Sequence, residues 1–492
     1  MTSATGWCST DFEYTLGFYF YCPKVKGFPE REAMRCFCAS GQLGHGIPRP
    51  AFERGIAHMP DYIGADMGST DIGPYYLGKG EIDGHRQIVF RDLEMVLLAG
   101  RRLDVPVLVG TAGSAGGKPH VDKTLDVLFE IAQKHRLSFR LAIIHAEVDK
   151  SYLTAKLAEG RVSPCGPVPA LTQGSIDKAT RLVGQMGVEP FVAALEGGAD
   201  VVVAGRACDA AIFSAVPIMR GYDIGLAMHM AKIIECSSLC AEPGGRDAIM
   251  AFLSKDHFIL ESMNPERHST PASVAAHSLY EQPRADGFSE PGGKVDISEV
   301  RYESEGNHRT KVSGSKWIPS LPYSIKIEGV EHVGYRYISM GAMRCPIAVR
   351  EIRTILMRVQ EIVDELLEGS VDPADYHLQF RPYGIHGAMG DGEVACDPRP
   401  IEIMVMTDVV ASSPQIAQSV CSVARYNLLH YFYDGILATG GNLAMPFAPS
   451  DIFAGDVFEF TVYHLVEVDD PLELFKIDFV NVEEGVRCGE TT

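Results

Sequence analysis

Residues 105–117 read VPVLVGTAGSAGG, an apolar run that ends in a glycine-rich turn. A second stretch, ADVVVAG at residues 199–205, has the same form. Strands that are apolar on both faces are typical of parallel sheets covered by helices on each side. Segments with helical periodicity separate such strands, as in RQIVFRDLEMVLLAGRRL at residues 86–103. This alternation predicts βαβ units and an α/β fold with a doubly wound, mostly parallel sheet of the Rossmann-like class.

The chain is expected to form two domains, because 492 residues exceed the size of one compact core. Residues 261–330 are rich in Pro, Gly, Ser and charge, and their short alternating segments predict an irregular β-rich end to the first domain. A strand-like HVGYRYISMG then opens a region of mixed strands and long helices. We therefore predict an α/β domain over residues 1–330 and a smaller α+β domain over residues 331–492.

Composition limits the classes of partner. The formal net charge of −20 argues against a nucleic-acid partner, because there is no basic field to attract phosphate. No apolar stretch is long enough to cross a bilayer, so no membrane partner is expected. The 12 cysteines have irregular spacing and predict free thiols in a reducing, cytoplasmic environment. An acidic surface and an open sheet edge would permit a homo-oligomer.

Four loops that follow successive predicted strands carry Gly or Ala beside polar side chains. They are residues 66–71 (DMGSTD), 110–117 (GTAGSAGG), 145–147 (HAE) and 205–209 (GRACD). Ligands of open α/β sheets bind beyond the carboxyl ends of the strands, so we expect these loops to converge. The pattern predicts a site for a small anionic molecule, either a carboxylate or a coenzyme A ester.

The glycine-rich loop at residues 110–117 follows neither the phosphate-binding nor the dinucleotide-binding spacing, so NAD and ATP are not expected. Gly113, Ser114 and Gly116 are candidate substrate-binding residues, since small residues let an anion approach backbone N–H groups. The alternative is a tight turn that packs a helix against its strand.

The candidate catalytic groups are carboxylates, hydroxyls and one histidine. Asp71 or Glu235 is the candidate general base. Ser69 and Thr70, together with loop amides, are candidates to stabilise an oxyanion. His145, at the end of an apolar strand, is a candidate for acid–base work, although such a histidine is more often a structural core residue.

Arg206, Asp209 and Asp66 complete the predicted substrate-binding set. A guanidinium at a strand end suits bidentate contact with a substrate carboxylate, and the alternative is a salt bridge from Arg206 to Asp209. Glu235 with Asp66 or Asp71 is also a candidate set of ligands for a divalent metal. The sequence contains no dense cluster of metal-ligating residues, so no cofactor is predicted and the metal stays an alternative.

Several long motifs, taken in order, resemble the acyclic terpene utilisation family. They include GIPRPAFERGIAHMPDYIGADMGSTDIGPYYLG, VGTAGSAGG, VVVAGRACDAAIFSA, IIECSSLCAEPGG and PGGKVDISEVRYE. The resemblance runs from about residue 38 to at least residue 320, and later motifs such as YGIHGAMGDGE are similar to the longer members. The opening MTSATGWCSTDFEYTLGFYFYC departs from the family, because it stands where a short first strand is expected.

Members of this family are found beside genes for the breakdown of citronellol- and geraniol-type compounds and other carboxylic acids. The resemblance therefore implies a role in carboxylic-acid or acyl-CoA catabolism, but it supplies neither a reaction nor catalytic residues.

The sequence favours a cytoplasmic lyase that hydrates or dehydrates its substrate by proton abstraction next to a carbonyl. A second hypothesis is a serine-dependent hydrolase of an ester, amide or lactone with Ser69 or Ser114 as nucleophile, although neither serine lies in a G-x-S-x-G elbow. A third is a non-enzymatic ligand-binding or assembly subunit.

Overall fold

A computed structural model describes most of the chain. The described residues are 32–68, 72–394, 400–437 and 440–491. The aromatic N-terminal segment and three of the predicted site residues, Ser69, Thr70 and Asp71, lie outside them.

Strands and helices alternate through the first half of the described chain, and long strands dominate the second half. The strands are β1 (Met34–Ser40), β2 (Tyr62–Asp66), β3 (Val107–Gly110), β4 (Phe139–Ile144), β5 (Val162–Pro164), β6 (Arg181–Gln185), β7 (Val201–Ala204), β8 (Ile249–Leu253), β9 (His257–Ser262), β10 (Gly287–Glu290), β11 (Gly293–Asp296), β12 (Arg301–Glu305), β13 (Arg309–Ser313), β14 (Lys316–Pro319), β15 (Ser324–Met343), β16 (Tyr376–Tyr383), β17 (Ile403–Ala411), β18 (Ile452–Glu467), β19 (Ile477–Glu483) and β20 (Val486–Thr491).

The helices cover the sheets. They are α1 (Arg49–Ala57), α2 (Tyr75–Lys79), α3 (Arg86–Leu103), α4 (Lys118–His135), α5 (Lys150–Ala158), α6 (Gln173–Lys178), α7 (Glu189–Glu196), α8 (Asp209–Met219), α9 (Ile224–Ile234), α10 (Pro271–Ser278), α11 (Pro346–Arg350), α12 (Ile352–Leu367) and α13 (Pro414–Leu429), with short 3-10 helices at Ser237–Cys240, Pro373–Asp375 and Gly390–Gly392.

The larger sheet is mixed, with 11 strands in the order β12-β13-β9-β8-β1-β2-β3-β7-β4-β19-β20. Its five central strands, β1, β2, β3, β7 and β4, pair in parallel. Antiparallel strands continue the sheet on both sides, from β8 on one side and from β19 on the other. The prediction of a mixed α/β chain is confirmed, whereas the Rossmann-like doubly wound arrangement stays a prediction.

A second sheet is built on the 20-residue strand β15. Its order is β16-β17-β15-β18-β5, and β6 pairs with β15 outside that path. A third, three-stranded sheet has the order β10-β11-β14. The predicted boundary at residue 331 falls inside β15, and strands from both parts of the chain cross it: β5 and β6 enter the second sheet, while β19 and β20 complete the first. The division into two domains stays a prediction.

The core lies on both faces of the central parallel strands. In β7, Val201 and Val203 belong to one buried cluster, together with residues of α3 and α4. Val202 and Ala204 belong to the other, together with residues of α8 and α9. The expectation that this strand is buried on both faces is confirmed, since every residue of β7 is buried. Within the described residues, no helix is long and apolar enough to cross a bilayer.

The pairing of β19 with β4 gives a test of the topology. Val480 in β19 is fully buried opposite Leu141, whereas Val486 in β20 is 61% exposed. Val480→Asp is expected to lower the free energy of unfolding by about 3–5 kcal/mol, because it buries an unpaired carboxyl group in the core. Val486→Asp, the matched control, should change it little. Urea denaturation of both variants measures the difference, and equal effects would contradict the burial of β19.

Candidate active site

A cleft of about 190 Å³ lies beyond the carboxyl ends of the parallel strands β1, β2 and β7. Its lining residues come from the loops after those strands and from the segments that follow α9 and α10. They are Ser40, Gly41, Gln42, His45, Gly46, Asp66, Gly68, Arg206, Asp209, Glu235, Cys236, Ser237, Leu239, Arg246, Tyr280 and Glu281. This is the edge at which open α/β sheets bind ligands.

Asp66 is the last residue of β2 and is 2% exposed. Its Oδ1 atom is buried and accepts no hydrogen bond from the described residues. Burial, reinforced by repulsion from the nearby Asp209 carboxylate, raises the pKa of Asp66 well above its usual range. The protonated form of Asp66 is therefore favoured relative to that of an ordinary aspartate, and this carboxyl group lines the cleft.

Glu235 follows α9 directly and is 5% exposed. Burial and the Asp209 carboxylate raise the pKa of Glu235 to about 7. Lys232, three residues earlier, donates from Nζ to Glu235 Oε1 at 2.7 Å. Burial alone lowers the pKa of Lys232, but the Glu235 and Asp209 carboxylates raise it overall, so this lysine is charged. Glu235 thus has both protonation states available near neutral pH.

Arg206 lines the cleft but already has a carboxylate partner. Its Nε donates to Glu328 Oε2 at 2.8 Å, and a second nitrogen donates to Oε1 at 3.2 Å. Lys326 Nζ lies 2.8 Å from Glu328 Oε1. Both Arg206 and Glu328 are buried, and the salt bridge joins the loop after β7 to β15. The sequence offered Asp209 as the alternative partner of Arg206, whereas the structure gives Glu328.

The glycine-rich loop at residues 110–117 contacts a segment of the site but does not line the cleft. None of its predicted binding residues lines the cleft. Ser114 donates its hydroxyl to the carbonyl of Gly113 and accepts the Asp83 N–H at 2.9 Å. Gly116 has φ +67°, and a Cβ atom there would lie 2.1 Å from the backbone nitrogen of Arg206. The loop therefore packs closely against the segment that carries Arg206.

The structure divides the predicted site residues. Asp66, Arg206, Asp209 and Glu235 line one cleft. His145 does not line it and instead lies 2.8 Å from Asp478 of β19, measured from Nε2 to Oδ2. Ser69, Thr70 and Asp71 are outside the described residues, although the neighbouring Gly68 lines the cleft.

Sequence reasoning missed the loop after β1. Residues 40–46 read SGQLGHG, and this glycine-rich stretch directly after a strand was the signal that could have found it. Gly41 donates its N–H to Ser237 Oγ at 2.8 Å. A Cβ atom on Gly41 would lie 2.0 Å from the carbonyl oxygen of Glu235, so only glycine fits this approach.

Arg246 was also missed. It is exposed at the rim of the cleft, and no ion pair is formed by it within the described part of the chain. No group of three or more His, Cys, Asp or Glu side chains in that part has the arrangement of a metal site.

The family model described as Acyclic terpene utilisation family protein AtuA matches residues 81–248. The predicted resemblance is confirmed over this stretch, which contains Arg206, Asp209 and Glu235 but not Asp66. The name of that family refers to the utilisation of acyclic terpenes. Neither the curated proteins nor the solved structures include a significant match to the chain.

The Arg206–Glu328 salt bridge predicts a pH-dependent stability. Burial alone raises the pKa of Glu328, but Arg206 and Lys326 reverse this and lower it to about 2 from the ordinary 4.5. Glu328→Gln is expected to lower the free energy of unfolding at pH 7 by about 3–5 kcal/mol, because it leaves a buried cation unpaired. The lowered pKa of Glu328 stabilises the folded protein fully above pH 4.5, and this contribution is lost as the pH falls toward 2. The difference in the free energy of unfolding between the unsubstituted protein and Glu328→Gln should therefore become smaller in acid.

Urea denaturation of Glu328→Gln and of the unsubstituted protein, from pH 7 down toward pH 2, measures this difference in the free energy of unfolding. Asp122→Asn, which removes the exposed Lys118–Asp122 pair, is the control and should have little effect at any pH. A deficit for Glu328→Gln that does not change with pH would contradict the assignment.

Proposed function

We propose, from the match to the acyclic terpene utilisation family and from the chemistry of the cleft, that the protein is a cytoplasmic lyase. In this proposal it hydrates or dehydrates a carboxylic acid or its coenzyme A ester in the catabolism of terpenoid-type compounds. The observation that carries the proposal is a cleft lined by two buried carboxyl groups, Asp66 and Glu235. Burial raises the pKa of Asp66 well above its usual range and that of Glu235 to about 7. Titratable groups whose environments separate their protonation states are a common basis for acid–base catalysis.

In the dehydration direction, the Glu235 carboxylate accepts a proton from C2 of a 3-hydroxyacyl substrate. The C2–H electron pair forms the C2–C3 double bond, and the C3–O bond breaks. Asp66 donates its proton to the departing oxygen, which leaves as water. Glu235 then holds the proton taken from C2, while the proton of Asp66 has left with the water. Exchange with solvent deprotonates Glu235 and reprotonates Asp66 before the next turnover. Hydration follows the same path in reverse.

Arg246 is the cation that we assign to the anionic part of the substrate. It lies at the rim of the cleft and forms no ion pair with any residue that the structure describes. Arg206, the residue proposed from the sequence, is less suited because two of its nitrogens already donate to Glu328. Guanidinium groups suit both carboxylates and the phosphates of coenzyme A.

The serine hydrolase is not favoured by any observation in the described residues. The Ser114 hydroxyl donates to the carbonyl of Gly113 and does not line the cleft. Deuterium exchange into a substrate would distinguish the lyase from a non-enzymatic ligand-binding or assembly subunit.

The experiment incubates purified protein in D₂O with 3-hydroxy and 2,3-unsaturated acids, both free and as coenzyme A esters. The lyase is expected to introduce deuterium at C2, which NMR detects. Glu235→Gln should reduce this exchange by about 10²–10⁴-fold, the usual contribution of a general base. Glu299→Gln, an exposed glutamate outside the cleft, is the matched control. No exchange with any substrate, or full exchange in Glu235→Gln, would remove the proposal.

The exchange rate is also expected to depend on pH. Because Glu235 must be ionised to accept a proton, the rate should rise with pH through about 7, the pKa of this residue. Asp209→Asn removes a neighbouring charge that raises this pKa and should move the rising limb to lower pH. If the pH profile of Asp209→Asn is the same as that of the unsubstituted protein, the rise in rate with pH reports the ionisation of a group other than Glu235.

A further inference from the structure

We propose that a second cavity, separate from the cleft, binds a small neutral aliphatic alcohol. Arg206 and Asp209 line the cleft, whereas Cys208 and Ala211 of the same segment line this cavity of about 290 Å³. The full lining is Gly187, Val188, Glu189, Cys208, Ala211, Ile218, Ile224, Met228, Glu290, Pro291, Gly292, Trp317, Pro319, Ser320, Leu321 and Tyr323. The volume is close to the lower end of the ~300–1,000 Å³ found for ligand pockets, so it suits a small molecule.

Most of the wall is apolar. Ile218 of α8 and Ile224 and Met228 of α9 form one side, and Trp317 of β14 lies on the small three-stranded sheet. Leu321, 65% exposed, places a further apolar side chain on the lining. A surface of this kind selects a hydrocarbon chain, because burying apolar groups is favourable and non-directional.

Two carboxyl groups provide the polar part of the lining. Glu290, at the end of β10, accepts a hydrogen bond from the Cys208 thiol. Glu189, at the start of α7, accepts one from the Tyr323 hydroxyl at 2.7 Å. A few placed polar groups in an otherwise apolar pocket fix the orientation of a ligand. The Tyr323 ring also packs closely against the Glu290–Pro291–Gly292 turn, since it lies 2.6 Å from where a Gly292 Cβ would be.

These groups favour a hydroxyl over a charged head group. A carboxyl oxygen can accept a hydrogen bond from an alcohol, whereas a second carboxylate would be repelled at close range. A ligand amine would be attracted less strongly to Glu290, because the charges of Lys232 and Lys326 already act on this carboxyl group. The ligand is therefore neutral, with a hydrogen-bond donor at one end and an aliphatic chain at the other.

The test uses the full-length protein with Trp7→Phe, so that Trp317 is the one remaining tryptophan of two. 1-Octanol, octanoate and octylamine are titrated at pH 8, with Trp317 emission and the midpoint of thermal unfolding as readouts. 1-Octanol is expected to give a saturable change in emission and a higher midpoint. Octanoate is expected to bind at least about tenfold more weakly, a difference of about 1.4 kcal/mol.

Glu290→Gln keeps a hydrogen-bonding group but removes the charge. It should improve octanoate binding about tenfold, while 1-octanol binding changes by less than about threefold. Glu299→Gln, the exposed control, should leave both titrations unchanged. The proposal is overturned if no probe gives a saturable signal, if octanoate or octylamine binds as tightly as 1-octanol, or if Glu290→Gln leaves octanoate unaffected. Because no readout requires turnover, failure of the lyase proposal would not affect this result.

Discussion

The buried salt bridge between Arg206 and Glu328 is the interaction on which the site depends. Arg206 follows the central parallel strand β7, and Glu328 lies in β15 of the second sheet, so two hydrogen bonds join the sheets at the edge of the cleft. Such a pair is costly to desolvate and is retained only when its geometry is good. Here Lys326 contributes a second cation to Glu328, which compensates the buried carboxylate.

The cation of this pair also acts on the carboxyl groups of the cleft. Arg206 lowers the pKa of Asp66, and Asp66 and Asp209 in turn raise the pKa of Arg206. Burial and repulsion from Asp209 outweigh this effect of Arg206, so the pKa of Asp66 is raised well above its usual range. The Oδ1 atom of Asp66 also has no hydrogen-bond partner among the described residues. The raised pKa values of Asp66 and Glu235 thus have the same two causes, burial and the charge of Asp209.

Local features of the fold could be predicted from sequence, whereas long-range partners could not. The helix predicted over residues 86–103 coincides with α3, because its apolar periodicity is regular and it ends at Asp104 in a left-handed conformation. Residues 346–369, PIAVREIRTILMRVQEIVDELLEG, have one continuous helical pattern, but the structure divides it into α11 and α12 at Glu351. There ψ is 9°, and no glycine or proline marks the break. β5 has only three residues and forms because it pairs with β18. No local sequence pattern predicts this strand.

The same limit applies to the site. Asp66, Arg206 and Glu235 could be identified because each stands at the end of a periodic element, where polar residues have few structural reasons to occur. The partner of Arg206 lies 122 residues further along the chain, and pairing at that separation leaves no trace in spacing. The glycines that suggested an anion cradle also have packing roles, since Gly116 approaches Arg206 and Gly113 approaches His120. Neither glycine lines the cleft, and their predicted role in substrate binding stays a prediction.

Lys232 connects the two cavities electrostatically. It donates to Glu235 in the cleft, and it also acts on Glu290 in the apolar cavity. A single cation, with its side chain 11% exposed, therefore stabilises carboxylates on both sides of the segment that begins at Arg206. The charge of either carboxylate contributes to the electrostatic potential at Lys232. Protonation of Glu235 or Glu290 therefore changes the electrostatic environment of the other carboxyl group without any movement of the backbone. Two small cavities separated by one turn of chain can in this way share one electrostatic environment while selecting different head groups.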